Sequence, residues 1–149
     1  MLNSPLTHPQ ICAALAGAGH GSLVLIADGN FPASTRCGPH AELVYLNLCP
    51  GTIDAVTILR QVLTVTPVEE VMVMAPMKDG PYAVDGQPAI WTEFRSELAA
   101  AHVTCALQPV ERPDFYDVAS GPDVALTIVS GESRIYGNVL LRIGVITTQ

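Results

Sequence analysis

The strongest constraint in this sequence is a rhythm. Short runs of almost unbroken apolar character alternate with stretches whose apolar residues recur at helical spacing. The runs "SLVLIA" (22–27), "AELVYLNL" (41–48), "EVMVMAP" (70–76), "TCALQPV" (104–110) and "DVALTIVS" (123–130) read as strands. One or two more short strands are expected around Gly137 in "SRIYGNVLLRIGVI". A strand apolar along its whole length needs cover on both faces, as in a parallel sheet. The cover lies between the runs. Residues 8–18 repeat Ile11, Ala14, Leu15 and Ala18 at helical intervals, with Thr7 as a cap and Pro9 in the first turn. A helix beginning at Thr52 sets Ile53, Val56, Leu59 and Leu63 on one face. A third helix over 89–101 turns Ile90, Phe94 and Leu98 inward, and Pro113 opens a short one that runs through Ala119. The pattern predicts an α/β domain of three layers around a mostly parallel central sheet.

At 149 residues the chain suits one domain, 1–149, and leaves little room for a second. Apolar residues make up 49% of it and charged residues 14%, against about 25% charged in an ordinary soluble domain. That deficit predicts surface covered by further copies of the chain. The formal net charge is -7, with seven Lys and Arg in all. Nucleic acid is excluded on that ground, because phosphate binding needs a basic face. No run approaches the ~18 apolar residues that span a bilayer, so no membrane is expected. The four cysteines, Cys12, Cys37, Cys49 and Cys105, form no CxxC pair and no His-rich cluster. No metal site is expected, and reduced thiols in the cytoplasm are the simplest reading.

Ligands of open α/β sheets bind outside the carboxyl ends of the strands. Asp28, the 76–79 segment and Arg112 fall at such ends. Asp28, in "DGN", reads either as the anchor of an Asx turn or as a carboxylate that accepts bonds from sugar hydroxyls. Arg112 is either a solvated charge before a helix or a planar fork for hydroxyl or ring oxygens. Phe115 and Tyr116 beside it are core residues or a platform for the apolar face of a sugar. Tyr136 and Asn138 flank Gly137; on an extended segment both side chains point the same way, and a phenol with an amide can donate and accept together. His20, between Gly19 and Gly21, is a turn residue or a general acid and base next to a helix end. "GAGHG" follows a helix and precedes a strand, the reverse of a dinucleotide loop.

Two stretches together carry a resemblance. "GHGSLVLIADGNFPA" (19–33) and "GESRIYGNVLLRIGV" (131–145), supported by "RPDFYDVA" (112–119), resemble the L-fucose mutarotase and D-ribose pyranase family, in its fucose branch. The resemblance implies an isomerase that interconverts anomers or ring forms of a free monosaccharide, with no metal and no cofactor. It implies ring-shaped pentamers or decamers, so a homodecamer is expected. It implies a catalytic role for His20, with Tyr136 or a bound water as the second proton carrier. Asp28, Arg112 and Asn138 fall on sugar-binding positions. The chain departs from the family pattern at Ser22, where an acidic residue is usual. It departs again between Leu43 and Gly51, where "LVYLNLCPG" stands in place of an Arg-Ala-Asp-Gly stretch. The second departure motivates one alternative, a sugar-binding protein without turnover. The low charge motivates another, an oligomeric scaffold without a ligand.

His20 and Asp28 bracket a single strand. Ser22 to Ala27 spans about 20 Å when extended, at ~3.3 Å per residue. The two side chains of one copy therefore do not grip one small sugar, and the complete site is expected to take His20 from a neighbouring chain.

Overall fold

The computed structural model describes residues 2–147. In chain order the elements are α1 (Pro9–Gly17), β1 (Leu23–Ala27), β2 (Glu42–Tyr45), α2 (Ala55–Leu63), β3 (Val68–Met74), α3 (Ile90–Ala100), β4 (Leu107–Val110), α4 (Arg112–Ala119), β5 (Val124–Val129) and β6 (Val139–Ile143). The strands form one sheet in the order β2-β5-β1-β6-β3-β4. Neighbours pair in parallel except β6, which runs antiparallel to both β1 and β3. The mostly parallel sheet expected from the sequence is present, with β6 reversed inside it.

Both faces of the sheet are covered, which accounts for strands such as β1, buried at every residue. On one face Val24, Ile26, Val71, Val73, Leu126 and Leu141 pack against Ile11 of α1, Leu59 of α2 and Phe94 of α3. On the other, Leu23, Leu25, Met72 and Leu140 pack against Phe115 and Ala119 of α4. The alternation of side chains along each strand feeds two cores at once. The edges are the four-residue strands β2 and β4. Half of each strand's residues are exposed, and β4 contains Pro109, which withholds a ladder donor; short edges with proline discourage further pairing.

Several local expectations are corrected. The cap of α1 is His8, whose ring nitrogen accepts from the Ile11 N–H at 3.4 Å, not Thr7. Helix α2 starts three residues later than Thr52, because Asp54 caps it by accepting from the Thr57 N–H at 2.7 Å. Ile53 precedes that cap with a left-handed φ of 54° and is exposed, so it is not on the buried face. The second strand ends at Tyr45, short of Leu48; of the one or two strands expected around Gly137, one, β6, is present among the described residues. Of the two readings of Phe115, core and sugar platform, the core one holds, for its side chain is fully buried.

Candidate active site

A cleft of about 310 Å³ opens outside the carboxyl ends of β1, β3 and β4. Asp28, Arg112, Tyr136 and Asn138 all line it, as do Tyr82 and Tyr116. The reversal of β6 explains how one cleft gathers them. An antiparallel strand begins where its parallel neighbours end, so the segment leading into β6 delivers Tyr136 and Asn138 to the carboxyl end of β1.

Asp28 and Asn138 form a reciprocal pair. The Asp28 N–H donates to Asn138 Oδ1 at 2.8 Å, and Asn138 Nδ2 donates to Asp28 Oδ2 at 2.9 Å. The Asn30 N–H donates to Asp28 Oδ1 at 3.0 Å. The Asx turn and the binding carboxylate, read as alternatives from the sequence, are thus both available to one residue. Asp28 is only 4% exposed. Burial pushes its carboxyl above the ordinary value, partly offset by bonds from the Asn30, Gly137 and Phe31 amides and from Asn138. Oxygen lone pairs and one Asn138 N–H remain for a ligand after these bonds are counted.

Tyr136 has a left-handed φ of 62°, so the segment before β6 is bent rather than extended there. A non-glycine residue in that region costs about 1–2 kcal/mol, and such strain collects at functional sites. The phenol compensates with two bonds: it donates to the Tyr82 carbonyl at 2.7 Å and accepts from the Met77 N–H at 2.9 Å. Its proton is therefore committed within the chain. Gly137 is required by close approach, because a Cβ there would stand 2.7 Å from Glu132 Cγ and 3.3 Å from Asp28 Cβ. Behind this turn the buried Glu132 carboxylate takes Arg134 Nε at 2.9 Å and Nη2 at 2.8 Å, and Arg134 also bonds Glu93 of α3. The Gly29 N–H donates to the Glu132 carbonyl at 2.8 Å, tying the turn to the loop after β1.

Arg112 is held loosely. Nη2 lies 3.4 Å from the Tyr116 hydroxyl, Nη1 lies 3.8 Å from Met77 Sδ, and the guanidinium stands 5.6 Å from the Tyr116 ring centre. Three of its five N–H donors make no bond among the described residues, and the side chain lines the cleft. Met77 falls in the 76–79 segment expected at a strand end, but nothing in the sequence singles out Tyr82. A tyrosine in a Gly- and Pro-rich loop carries no periodic signal, and its placement depends on the Tyr136 phenol.

His20 is not in this cleft. It lies beyond the amino end of β1, 58% exposed, in a separate hollow with Ser22, His40, Asp123 and Arg142. Among the described residues no group of three His, Cys, Asp or Glu side chains is arranged to hold a metal ion, and no helix is long and apolar enough to cross a membrane.

A doubly covered α/β sheet with a small polar and aromatic cleft at its strand ends defines a protein that binds a small polar molecule. The sequence comparisons narrow that class. A family model described as the RbsD / FucU transport protein family matches residues 1–146, and the chain belongs to that family. It is 34% identical over 143 residues to the fucose mutarotase of Homo sapiens, covering 95% of this chain and 90% of that one. The structure of FucU from Bifidobacterium longum superposes with a TM-score of 0.76 at 29% identity, over 94% of this chain and 95% of that one. The fucose mutarotase of Streptococcus pneumoniae in complex with L-fucose superposes with a TM-score of 0.77 over 99% of this chain and 100% of that one; at 22% identity it speaks for the fold alone.

Proposed function

We propose that this protein is a monosaccharide mutarotase, an isomerase of an L-fucose-like free sugar that works by acid–base ring opening without a cofactor. The observation that carries the reading is the convergence of Asp28, Arg112, Tyr136 and Asn138 on one sugar-sized cleft, in a chain 34% identical to a fucose mutarotase. A cyclic hemiacetal opens when the O1 proton leaves and the ring oxygen gains one, and it recloses on the other face of the carbonyl. Asp28 and Asn138 accept and donate at the hydroxyls, and Arg112 donates to oxygens from the open side. His20 takes the O1 proton. The Tyr136 phenol holds its proton against Tyr82, so a bound water is the counterpart that leaves the cleft intact, while Tyr136 frames it. Positioned proton transfer is worth ~10²- to 10⁴-fold.

His20 and the cleft lie at opposite ends of β1, about 20 Å apart by strand geometry. The working site therefore pairs the cleft of one copy with His20 of another, in a ring-shaped homo-oligomer that we take to be a decamer. Exposed Tyr45, Leu48 and Ile146 support the self-association. The four free cysteines support a reducing, cytoplasmic setting.

Saturation-transfer NMR on a panel of free sugars tests the activity. Exchange between α and β anomers should accelerate for at least one sugar, L-fucose first. Line broadening without faster exchange would mean a binding protein, and no response to any sugar would mean a scaffold. Light scattering should give a mass of several chains; a stable monomer at micromolar concentration would remove the shared site.

A further inference from the structure

The cleft is polar at its deep end and apolar at its rim. Asp28 and Asn138 are buried in it, whereas Tyr82 and Ile135 line the same space and are exposed. Single apolar residues on a surface need no explanation, but these two converge on one cleft. Of its four aromatic residues, three are already engaged. Phe31 and Tyr136 are buried in the core beneath. The Tyr116 ring stands 5.6 Å from that of Phe31 between centres, and the Arg36 and Arg112 guanidiniums lie over it, each 5.6 Å from its centre. Tyr82 is 58% exposed. Among the described residues its ring has no aromatic or guanidinium partner, and its hydroxyl makes no hydrogen bond.

The ring is free, but its mount is rigid. The Ala83 N–H donates to the Gly80 carbonyl at 3.2 Å, closing a turn over residues 80–83. Pro81 stands at the second position of that turn, where its fixed φ suits the geometry. Gly80 enters with a φ of 98°, which a side chain would strain. Ala83 bridges to Met77 across the loop. The Tyr136 phenol then holds the Met77 amide and the Tyr82 carbonyl together. The backbone that carries Tyr82 is thus tied to the segment that delivers Asn138. An aromatic side chain has only two rotatable bonds, so on an anchored backbone it has little freedom to lose on binding.

We propose that Tyr82 is a specificity-determining residue of this cleft: its ring takes the apolar C–H face of a pyranose whose hydroxyls reach Asp28, Asn138 and Arg112. The role rests on the cleft being the sugar site of the proposed mutarotase. Hydroxyls bond to the buried polar pair, and the carbons between them need an apolar surface. The configuration that best covers a flat ring is galacto. Its axial O4 leaves the hydrogens of C3, C4 and C5 on one face with no hydroxyl among them. In the C4 epimer the C4 hydrogen turns to the other face and the patch is broken. L-Fucose, which is 6-deoxy-L-galactose, has the unbroken patch. C1 lies outside that patch, so the contact is the same in both anomers. It also survives ring opening, because the rotation that exchanges the carbonyl faces is about the C1–C2 bond. Tyr82 thereby selects the sugar without favouring either end of the reaction, and proton transfer is left to other groups.

The test pairs the anomer-exchange assay with saturation-transfer NMR on the wild type, Tyr82→Ala and Tyr82→Phe, using L-fucose and its C4 epimer, 6-deoxy-L-glucose. In the wild type, saturation should fall most strongly on the C3, C4 and C5 hydrogens of L-fucose, and Tyr82→Ala should lose that pattern. Tyr82→Ala should raise KM about tenfold, the worth of taking roughly 55 Å² of apolar surface out of water. Its kcat should stay within about twofold, because the contact is equal in ground and transition states. Tyr82→Phe should match the wild type, since the hydroxyl is unbonded. The preference for L-fucose over its epimer should shrink in Tyr82→Ala. An unchanged KM, a loss carried by kcat, or a Tyr82→Phe protein as impaired as Tyr82→Ala overturns the role. So does a fall in oligomer mass of Tyr82→Ala on light scattering, which would make Tyr82 an interface residue. A wild type that holds L-fucose by the same three hydrogens without faster exchange refutes turnover and keeps the platform. A wild type that binds neither sugar refutes both.

Discussion

Tyr136→Phe separates the framing role of this tyrosine from everything else it does. The ring is almost fully buried, and phenylalanine keeps its volume, so no cavity forms. The left-handed backbone costs the same for both residues. Only the two hydrogen bonds change. The Tyr82 carbonyl belongs to an exposed residue and can turn to water, which puts its loss near the lower limit for a net bond, about 0.5 kcal/mol. The Met77 amide is half-buried and loses its partner without an easy substitute, which puts it near the upper limit, about 1.5 kcal/mol. The sum of about 2 kcal/mol corresponds to roughly thirtyfold in a local opening equilibrium. It should fall on the 77–83 loop rather than on the sheet. Native-state hydrogen exchange reads this directly: the Met77 amide should lose about thirtyfold in protection while Leu140, inside the central strand β6, is unchanged. Sugar affinity should weaken with it, because Tyr82 lines the cleft. If Met77 keeps its protection, the phenol does not latch the loop and the framing role is wrong. If Leu140 loses protection equally, the bonds support the whole sheet.

Mixing inactive His20→Ala and Asp28→Asn proteins and allowing subunit exchange should restore part of the activity, since some interfaces regain one intact His20 and one intact cleft; zero activity after proven exchange would put both residues of each site in one chain. Burial raises the Asp28 carboxyl, so the folded state holds this proton more tightly than the unfolded chain does. Stability falls with pH wherever the native state binds more protons. The unfolding free energy of the wild type minus that of Asp28→Asn should therefore decrease as pH climbs from the ordinary carboxylate range through the raised Asp28 value, and an increase would contradict the burial argument. Glu132 gives the opposite sign: burial acts to raise its carboxyl, but its bonds to Arg134 and the Arg134 charge hold it below the ordinary value, so the wild-type advantage over Glu132→Gln should be lost as pH falls.

The strands were legible because each is apolar on both faces, and the helices because their inner faces recur at helical spacing. β1, β5 and α3 fall within a residue of the ends expected from the sequence. Edge elements were less legible. "AELVYLNL" reads as eight strand residues, yet only Glu42–Tyr45 pair, because an edge strand has one partner and its length is set by that partner. Ile53 follows the helical period but sits outside the Asp54 cap, and local hydrogen bonding overrides hydrophobic spacing there. Asp28, Arg112, Tyr136 and Asn138 were recognisable as candidates through their motifs, and their convergence follows from strand ends. Glu69, whose carboxylate oxygens lie 3.0 and 3.1 Å from His20 Nε2, was not recognisable. In sequence it is one of two adjacent carboxylates at the start of a strand, and its direction depends on a pairing slip against residues more than seventy positions away, which no local pattern records.

The sheet order also governs how the chain can be made. β1 pairs only with β5 and β6, and β2 only with β5, so the first two strands to emerge have no use for each other. The first ladder a growing chain can build is β3 with β4, Val71 against Leu107. Leu23 waits for Val124, about a hundred residues later, which at roughly 5–20 residues per second is an interval of about 5–20 s on the ribosome. Through that interval the most hydrophobic strand of the protein is an unpaired sticky segment, and its shelter during synthesis has to come from transient collapse or from a chaperone rather than from its own fold.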